Sequence, residues 1–517
     1  MDITLPTPVF LNTILAAAPI LVVLYLMIQR HWGGSQAGLA GWLTAVLISL
    51  IIFGANLPLL LVASGKAVLL ALFVLLIIWF ALLLYNTVNE AGVITAIGQQ
   101  MPQLAHDQPA QALLIAWIFA SFLQGATGFG VPAAVVAPLL VGMGFTPNVA
   151  VVIALLGHAW AVTYGSLGSS FLSLMAATGL PGEVLASPVA IMLGLCCLCC
   201  GLGVLWLVGG GTAVRQRGLF MVIMALIMGS AQWVVAQFGF YTLASIGGGL
   251  AGLIAAIAYF TTLGRVPGAK FDLRPLLQAF FPYAIVTIII ILGQTVLKDA
   301  LGKVIINPTF PAVATRYGWQ TAAGTGRSIN VFGHGGSLLL YGSLIVFAWY
   351  KWRGPLGAAT APSYSGQTIW RKTLKGWSKP TIGMFSLVAM ALTMEHAGMT
   401  QLLAEALSQT GRLFPLLSPF IGGLGAFVTG SNTNSNVVFG QLQQQTAVAL
   451  SLSVPLILAA QTSGGAIGAL FAPAKVLVGV STVAGAEDGD VLKAATTYGV
   501  AILLIVGAIT WLATLLR

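Results

Sequence analysis

The sequence predicts an all-α polytopic membrane protein, with about 12–14 transmembrane helices of the length a bilayer requires. Three observations predict it. Of 517 residues, 58% are hydrophobic and only 6% are charged, where a soluble chain would carry roughly 25% charged residues. Apolar runs of about 18 residues or more recur from end to end. Several of these runs are interrupted by glycine, proline and polar residues where hydropathy alone would continue them. That pattern predicts broken helices and re-entrant hairpins arranged as two inverted repeats.

The net charge of +10 is carried in loops between spans. It follows the positive-inside rule and argues against a nucleic-acid partner. Spans are legible at Val9–Ile28, Ala37–Phe53 and Lys66–Tyr85, where Lys66 can snorkel from the start of its helix. The first run reads as a span, not a cleavable signal. An apolar stretch then begins at Leu113–Phe122 and is broken by Gln124-Gly-Ala-Thr-Gly-Phe-Gly-Val-Pro132, because glycine and proline stop a helix. Ala133–Gly144 is too short to span and reads as one arm of a hairpin. Val149–Gly157 follows, with a second interruption at His158–Ser170.

The middle is more regular, with spans expected at Val189–Val208, Leu219–Phe238, Tyr241–Phe260, Phe281–Leu297 and Ser337–Tyr350. Gly247–Gly249 with Gly252 suit close helix packing. Cys196, Cys197, Cys199 and Cys200 lie together in one apolar span, where they read as small packing residues, with a soft-metal site as the alternative. Arg215 and Arg217, then Arg265, Lys270 and Arg274, then Lys351 to Lys379 fall in loops two spans apart. One side therefore holds all three, the cytoplasmic side, which leaves the N-terminus and segment 298–330 outside an inner (cytoplasmic) membrane.

The last third repeats the opening pattern. A span near Thr381–Met394 leads to an amphipathic segment, Thr400–Arg412. A polar run, Thr429-Gly-Ser-Asn-Thr-Asn-Ser-Asn436, then follows the apolar stretch Pro419–Val428. Ala447–Ala460 comes next, then an expected break at Gln461-Thr-Ser-Gly-Gly465, then Ala472-Pro-Ala-Lys475 and a final span, Thr497–Leu516. From Gly125 to His158 is 33 positions (158 − 125), and from Gly430 to Gln461 is 31 (461 − 430). The matching order divides the chain into a scaffold (1–110), a first broken-helix unit (111–180), a central scaffold (181–380) and a second unit (381–517).

Paired interruptions in two halves point to a transporter's solute site. Half-helices starting near Val131, Val437 and Ala466 would present bare N–H groups to an anion. Unwound carbonyls at the opposite ends suit a cation such as sodium. Candidate contacts are Gln124, Gly125, Thr127, Gly128, His158, Ser431, Asn432, Thr433, Asn434, Asn436, Gln461, Thr462 and Lys475. Lys475 serves either as a carboxylate's counter-charge or as a snorkelling interfacial residue. His158, beside Trp160, reads as a site or gating residue. Glu395 and His396 are the candidate ion-coupling pair. Neighbouring side chains do not share a helix face, so an interfacial position closing the turn at Gly398 stands slightly ahead of a proton relay.

Phe122–Pro132, Gly430–Asn436, Ala459–Ala466 and Ala472–Lys475, with Leu113–Ala116 and Gly142–Phe145, resemble the L-lactate permease family. The resemblance implies a secondary transporter that takes up lactate, glycolate or a similar 2-hydroxy monocarboxylate, usually with protons. Where that family typically has a glutamate and an aspartate, this chain has Gln124 and Asn432, amides that cannot carry a proton. The segment at His158–Gly165 also departs from the usual pattern. Ser431-Asn-Thr433 is similar to the motif of sodium-coupled carboxylate carriers with an elevator mechanism. The implied partners are a small carboxylate, a coupling H+ or Na+ and the lipid bilayer. A homodimer is compatible with the chain, which carries no feature setting its oligomeric state, and no cofactor is expected.

Three rival readings remain. A sodium-coupled carrier of another organic anion would use the same polar breaks, and so would an anion channel. An enzyme would need a nucleophile–base pair or metal ligands, and neither His-Glu-x-x-His nor Gly-x-Ser-x-Gly occurs.

Overall fold

The computed structural model describes residues 9–100, 104–105, 107–128, 130–262, 274–356 and 364–516. The chain opens with α1 (Val9–Gln29), α2 (Gly34–Ile51), α3 (Leu57–Glu90) and the short α4 (Val93–Gln100). Asn56 caps α3 by accepting from the Leu59 N–H, and Pro58 occupies the first turn, where its missing N–H costs nothing. α5 (Gln108–Ala126) carries a π-helical stretch, Leu113–Phe119. The non-helical residues 127, 128 and 130 separate it from α6 (Val131–Gly142), which at 12 residues is too short to cross. α6 turns back into α7 (Pro147–His158). α8 (Gly165–Thr178) follows at 50° to α7 after a 3-10 turn, and its first turn holds the left-handed residues Ser166, Leu167 and Gly168.

α9 (Gly182–Gln237) would be about 84 Å long if straight, nearly three times the hydrocarbon thickness. It is not straight. Gly209 (φ −159°, ψ 20°) and Gly210 (φ 55°, ψ −143°) break it, the second in a conformation that glycine alone adopts easily. The arms fold back so that a Cβ on Gly194 would lie 3.8 Å from Gly229 Cα. These arms are the two spans expected at Val189–Val208 and Leu219–Phe238. α10 (Ala244–Thr262) packs on α9 and α5, with Gly249 against the backbone of Phe122 and Gly252 against Met228. The close-packing reading of that glycine cluster holds.

After α11 (Arg274–Gln294) the chain forms a narrow antiparallel ribbon. Its strands are β1 (Ile305–Ile306), β2 (Thr309–Phe310), β3 (Val313–Ala314), β4 (Gln320–Thr321), β5 (Gly324–Thr325) and β6 (Ile329–Asn330). β1 pairs with β6, β2 with β5 and β3 with β4. The tip is pinned to the start of α3: the Arg316 N–H donates to the Gly54 carbonyl at 2.7 Å, and Asn56 Nδ2 donates to the Ala314 carbonyl at 3.0 Å. The ribbon is a structure that hydropathy gave no means of anticipating. α12 (Gly335–Arg353), α13 (Gly366–His396) and α14 (Met399–Ser408) come next, α13 and α14 meeting at 78°. α3 and α13 run antiparallel, tied at one end by a Lys372–Glu90 ion pair and at the other by Lys66 Nζ on His396 Nε2 at 3.2 Å.

The second unit comprises α15 (Phe414–Thr429), α16 (Asn432–Ala449), α17 (Val454–Gly468), α18 (Pro473–Val480) and α19 (Asp488–Leu515). Three expectations fail here. No break falls at Gln461–Gly465, since α17 is continuous to Gly468, so no half-helix starts at Ala466; the interruption is at 469–472. α16 starts at Asn432, not Val437, because Ser431 caps it and Ser and Asn are favoured in and before a first turn. Ala447–Ala460 is not one stretch, since Leu450–Ser453 turn between α16 and α17. Among the described residues ten helices are long and apolar enough to cross, or up to twelve if each bent pair is one span. That is at or below the lower end of the expected count, because short helices on either side of breaks do not qualify singly.

The glycines of the expected break instead let α17 lie directly on α15. A Cβ on Gly464 would meet the Pro419 carbonyl at 2.0 Å, one on Gly468 the Gly423 carbonyl at 2.2 Å, and one on Gly422 the Gln461 carbonyl at 2.0 Å. Backbone contact of this kind is how helices associate where lipid offers no hydrophobic drive. Gly464→Ala should therefore cost about 1–3 kcal/mol by overpacking. Gly142→Ala, with nothing within 4 Å, should stay within about 0.5 kcal/mol. Thermal unfolding midpoints in detergent measure both, and equal midpoints would refute the packing argument.

Candidate solute site at the helix breaks

Polar backbone cannot face lipid, so each unwound stretch must find partners inside the protein. They find them in one another. Gln124, at the end of α5, packs on Gly165, where a Cβ would stand 2.7 Å from Gln124 Nε2. Gly128 lies against the Ser166 side chain, so closely that no larger residue fits. The first two interruptions are therefore in contact.

The third interruption joins them through α16. Asn432 Nδ2 donates to Thr163 Oγ1 at 3.0 Å and to the Thr462 carbonyl at 3.1 Å. Asn436, one turn on, donates to the Ser170 carbonyl at 2.9 Å and to Thr462 Oγ1 at 2.8 Å. Thr433 and Ser170 share a hydrogen bond at 2.9 Å between their hydroxyls. Thr163 in turn donates to the Thr462 carbonyl at 3.1 Å. Asn432, Asn436, Thr163, Thr462 and Ser170 are all buried. Three segments far apart in sequence are thus laced by side-chain hydrogen bonds at the start of α16 and at the bend before α8.

The fourth interruption reaches the others through the helix after it. α18 follows it and touches both halves: a Cβ on Gly430 would lie 3.5 Å from Ala474, and one on Gly130 would lie 3.3 Å from Val478. Two left-handed break glycines, one from each half, Gly130 (φ 84°) and Gly430 (φ 68°), therefore sit on one eight-residue helix. Lys475 is on that helix, half-buried. His158 is buried at the end of α7, with Nδ1 on the Ala154 carbonyl at 2.6 Å.

Several buried polar atoms here have no protein partner, namely Gln124 Oε1, Asn432 Oδ1, Asn436 Oδ1 and Ser463 Oγ. An acceptor left this way costs about 1–3 kcal/mol, so a cluster of them is a place where solute or ion has something to do.

Some candidate residues stand elsewhere. Gly125 packs against the Ser245–Ile246 backbone of α10. Thr127 Oγ1 donates to the Leu123 carbonyl at 2.7 Å, finishing α5. Ser431 Oγ accepts from the Asn434 N–H at 3.3 Å as the cap of α16, and Asn434 lines a crevice facing α1 and α13. Gln461 turns away from the breaks: Gln443 Nε2 donates to its Oε1 at 2.6 Å, and its own Nε2 donates to Ser435 Oγ at 3.1 Å. Thr163, Ser166 and Ser170 are the members that the sequence reading did not single out. They lie inside the His158–Ser170 interruption, and being short hydroxyls in a broken helix was the signal available.

Glu395 and His396 are not in this cluster. They line a separate cavity of about 650 Å³ with Lys66, Thr178, Arg327 and Gln441. His396 is buried, with Nδ1 on the Leu392 carbonyl at 2.9 Å and Nε2 facing the Lys66 ammonium. An ammonium can only donate, so Nε2 accepts and the ring proton is on Nδ1. Gly398, with φ 80°, closes the turn behind them, its N–H donating to the Glu395 carbonyl at 3.0 Å. The pair both ends its helix and lines a cavity.

A family model for the L-lactate permease matches residues 12–517. The L-lactate permease of Bacillus subtilis (strain 168) is 25% identical over 553 residues, covering 97% of this chain and 96% of that protein. The L-lactate permease of Escherichia coli (strain K12) is 25% identical over 542 residues, covering 98% and 96%. The glycolate permease GlcA of Escherichia coli (strain K12) is 24% identical over 564 residues, covering 97% and 95%.

Asn436→Leu removes one of the two side-chain donors to the Ser170 carbonyl, the other being Ser173 Oγ, and one partner of Thr462. It should lower stability by about 1–3 kcal/mol. Asn434→Leu, outside the cluster, should cost measurably less. Unfolding midpoints of the two purified variants make the comparison, and the reverse order would mean that the lacing does not hold the breaks.

Proposed function

The chain belongs to the L-lactate permease family, integral membrane transporters rather than enzymes, and on that premise we propose that it carries a 2-hydroxy monocarboxylate such as L-lactate or glycolate across the cytoplasmic membrane by symport. One observation carries the reading. Three of the interruptions meet in a single buried polar cluster, and Lys475 lies on the helix that follows the fourth and touches Gly130 and Gly430. Hydroxyls and amides there supply donors and acceptors for a hydroxyl and a carboxylate, Lys475 supplies the counter-charge, and the start of α16 adds the positive end of a helix.

Both halves place an interruption, a short helix, a turn, a second helix and a second interruption in that order. This supports two inverted repeats whose joint movement against the α1–α3 and α11–α13 scaffold gives alternating access, as in an elevator. With Gln124 and Asn432 unable to titrate, proton coupling falls to Glu395 and His396, which stand around Lys66. A homodimer is the assembly proposed, with the N-terminus outside.

A second reading has its own support. Asn432 Oδ1 and Asn436 Oδ1 are hard oxygen acceptors without donors, and sodium takes such ligands. Sodium coupling, with another organic anion as cargo, is that alternative.

Uptake of labelled L-lactate and glycolate into proteoliposomes tests both readings, with an inward proton gradient, an inward sodium gradient or neither. Saturable accumulation driven by protons is expected. Glu395→Gln should abolish gradient-driven accumulation while leaving lactate–lactate exchange in place. Accumulation driven by sodium alone would move the coupling ion to the α16 break. No uptake under any gradient, from protein that exchanges some other anion, would overturn the cargo.

A further inference from the structure

The cavity that holds Glu395 and His396 has a second feature that coupling does not use. One wall is the ribbon. Between β5 and β6 the chain places Arg327 into the cavity, opposite Lys66 of α3. Among the described residues the carboxylate ion pairs are Arg217–Asp107 and Lys372–Glu90, so neither Arg327 nor Lys66 is held by one.

Both cations rest on aromatic faces. The Arg327 guanidinium lies 4.2 Å from the ring centre of Phe73, and the Lys66 ammonium lies 6.0 Å from that of Phe310. A guanidinium stacked on a ring spends its face there and keeps its edge donors in plane for a bidentate carboxylate. Arg327 Nε is buried with no partner. His334, edge-on to the same Phe73 at 4.7 Å, is held down to about 4 by burial and then by the Arg327 charge, so it adds no positive charge at neutral pH.

The remaining walls suit a small hydroxy acid. Leu70, Ala176 and Ala177 are apolar, while Thr178 and Gln441 are polar. Thr178 Oγ1 donates to the Leu174 carbonyl at 2.8 Å, accepts from the Leu180 N–H at 3.4 Å and keeps one lone pair to accept a hydroxyl. The cavity is also connected to the cluster. α8 and α16 pack together, and each starts in the cluster and reaches the cavity, α16 from Asn432 to Gln441, about 13 Å on.

We propose that this cavity is a separate capture site for small monocarboxylate anions on the ribbon side of the membrane, with Arg327 as its carboxylate-binding residue and Lys66 as the second cation. Only the identity of the anion rests on the lactate reading above. The site is distinct from the cluster at the breaks, and it loads solute before the breaks receive it. Because Arg327 arrives on the ribbon, the segment between α11 and α12 is part of the binding machinery and not merely a connection.

Ser328→Cys, beside Arg327 on the cavity wall, keeps the arginine in place and in the full-length protein in proteoliposomes gives a readout that does not depend on transport. A membrane-impermeant cationic methanethiosulfonate should modify it from the ribbon side. The wild-type chain, whose four cysteines all lie in the first arm of α9, sets the background. Saturating L-lactate or glycolate should slow the reaction by about fivefold or more, and equal chloride should not. In uptake, Arg327→Gln should raise KM by about tenfold or more with kcat changed less than about twofold, and Arg327→Lys should recover part of the loss. A purely structural role would instead lower kcat and folded yield without partial recovery by lysine. Absence of protection by either carboxylate, equal protection by chloride, or an unchanged KM overturns the site. Protection in a protein that accumulates no lactate would leave the site standing and bring down the transport reading. Ordinary uptake with an unchanged KM would do the reverse.

Discussion

The structure depends on a constraint that lipid imposes: an unwound backbone at membrane depth must be satisfied by protein. This chain unwinds at 127–128 and 130, around 159–168, at 430–431 and at 469–472, and local hydrogen bonds are supplemented by contacts between the stretches and with α17 and α18. Gly128 needs Ser166, Thr163 needs Asn432 and Thr462, and Gly430 and Gly130 both need α18. A defect in any one interruption is therefore felt by the others. The glycine contacts of α15 with α17 are the same logic in the scaffold of the second unit, since only backbone-to-backbone approach brings Thr462 within reach of Asn432 and Asn436.

Much of this was legible in the sequence, and for physical reasons. Hydropathy over about 20 residues reports a span directly, so the opening spans, the arms of α9 and α10–α13 lie where their apolar runs do. The interruptions at Gly128 and His158 were legible because glycine, proline and clustered hydroxyls in an apolar run have few other uses. The failures share one cause: glycine serves both unwinding and close packing, and composition does not distinguish them. Gln461–Gly465 has the look of a break, yet its glycines exist to let α17 meet the Pro419 and Gly422 backbones. The run after Gly430 has the look of coil, yet Ser431 caps a helix whose first turn is made of asparagine, threonine and serine. Hydropathy also had nothing to say about Arg327, since a polar segment between spans reads as a loop whatever it forms.

The separation between cluster and cavity follows from electrostatics. A carboxylate taken from water into a protein interior is costly by several kcal/mol unless a cation and hydrogen bonds meet it. A single deep site would demand the full desolvation in one step. Two stations, each with its own cation and about 13 Å apart along α16, divide that barrier. On the proposed path Arg327 and Lys66 would meet the anion at the cavity, and Lys475 would meet it at the breaks. The same division explains why the titratable pair Glu395 and His396 sits at the outer station and not in the cluster, where Asn432 and Asn436 stand. A proton taken up beside the arriving anion neutralises charge before the buried step, so the deep site can be built from amides and hydroxyls. On this view Gln124 and Asn432 are not lost proton carriers. They are the residues a neutral, hydrogen-bonding interior calls for once charge has been settled at the entrance.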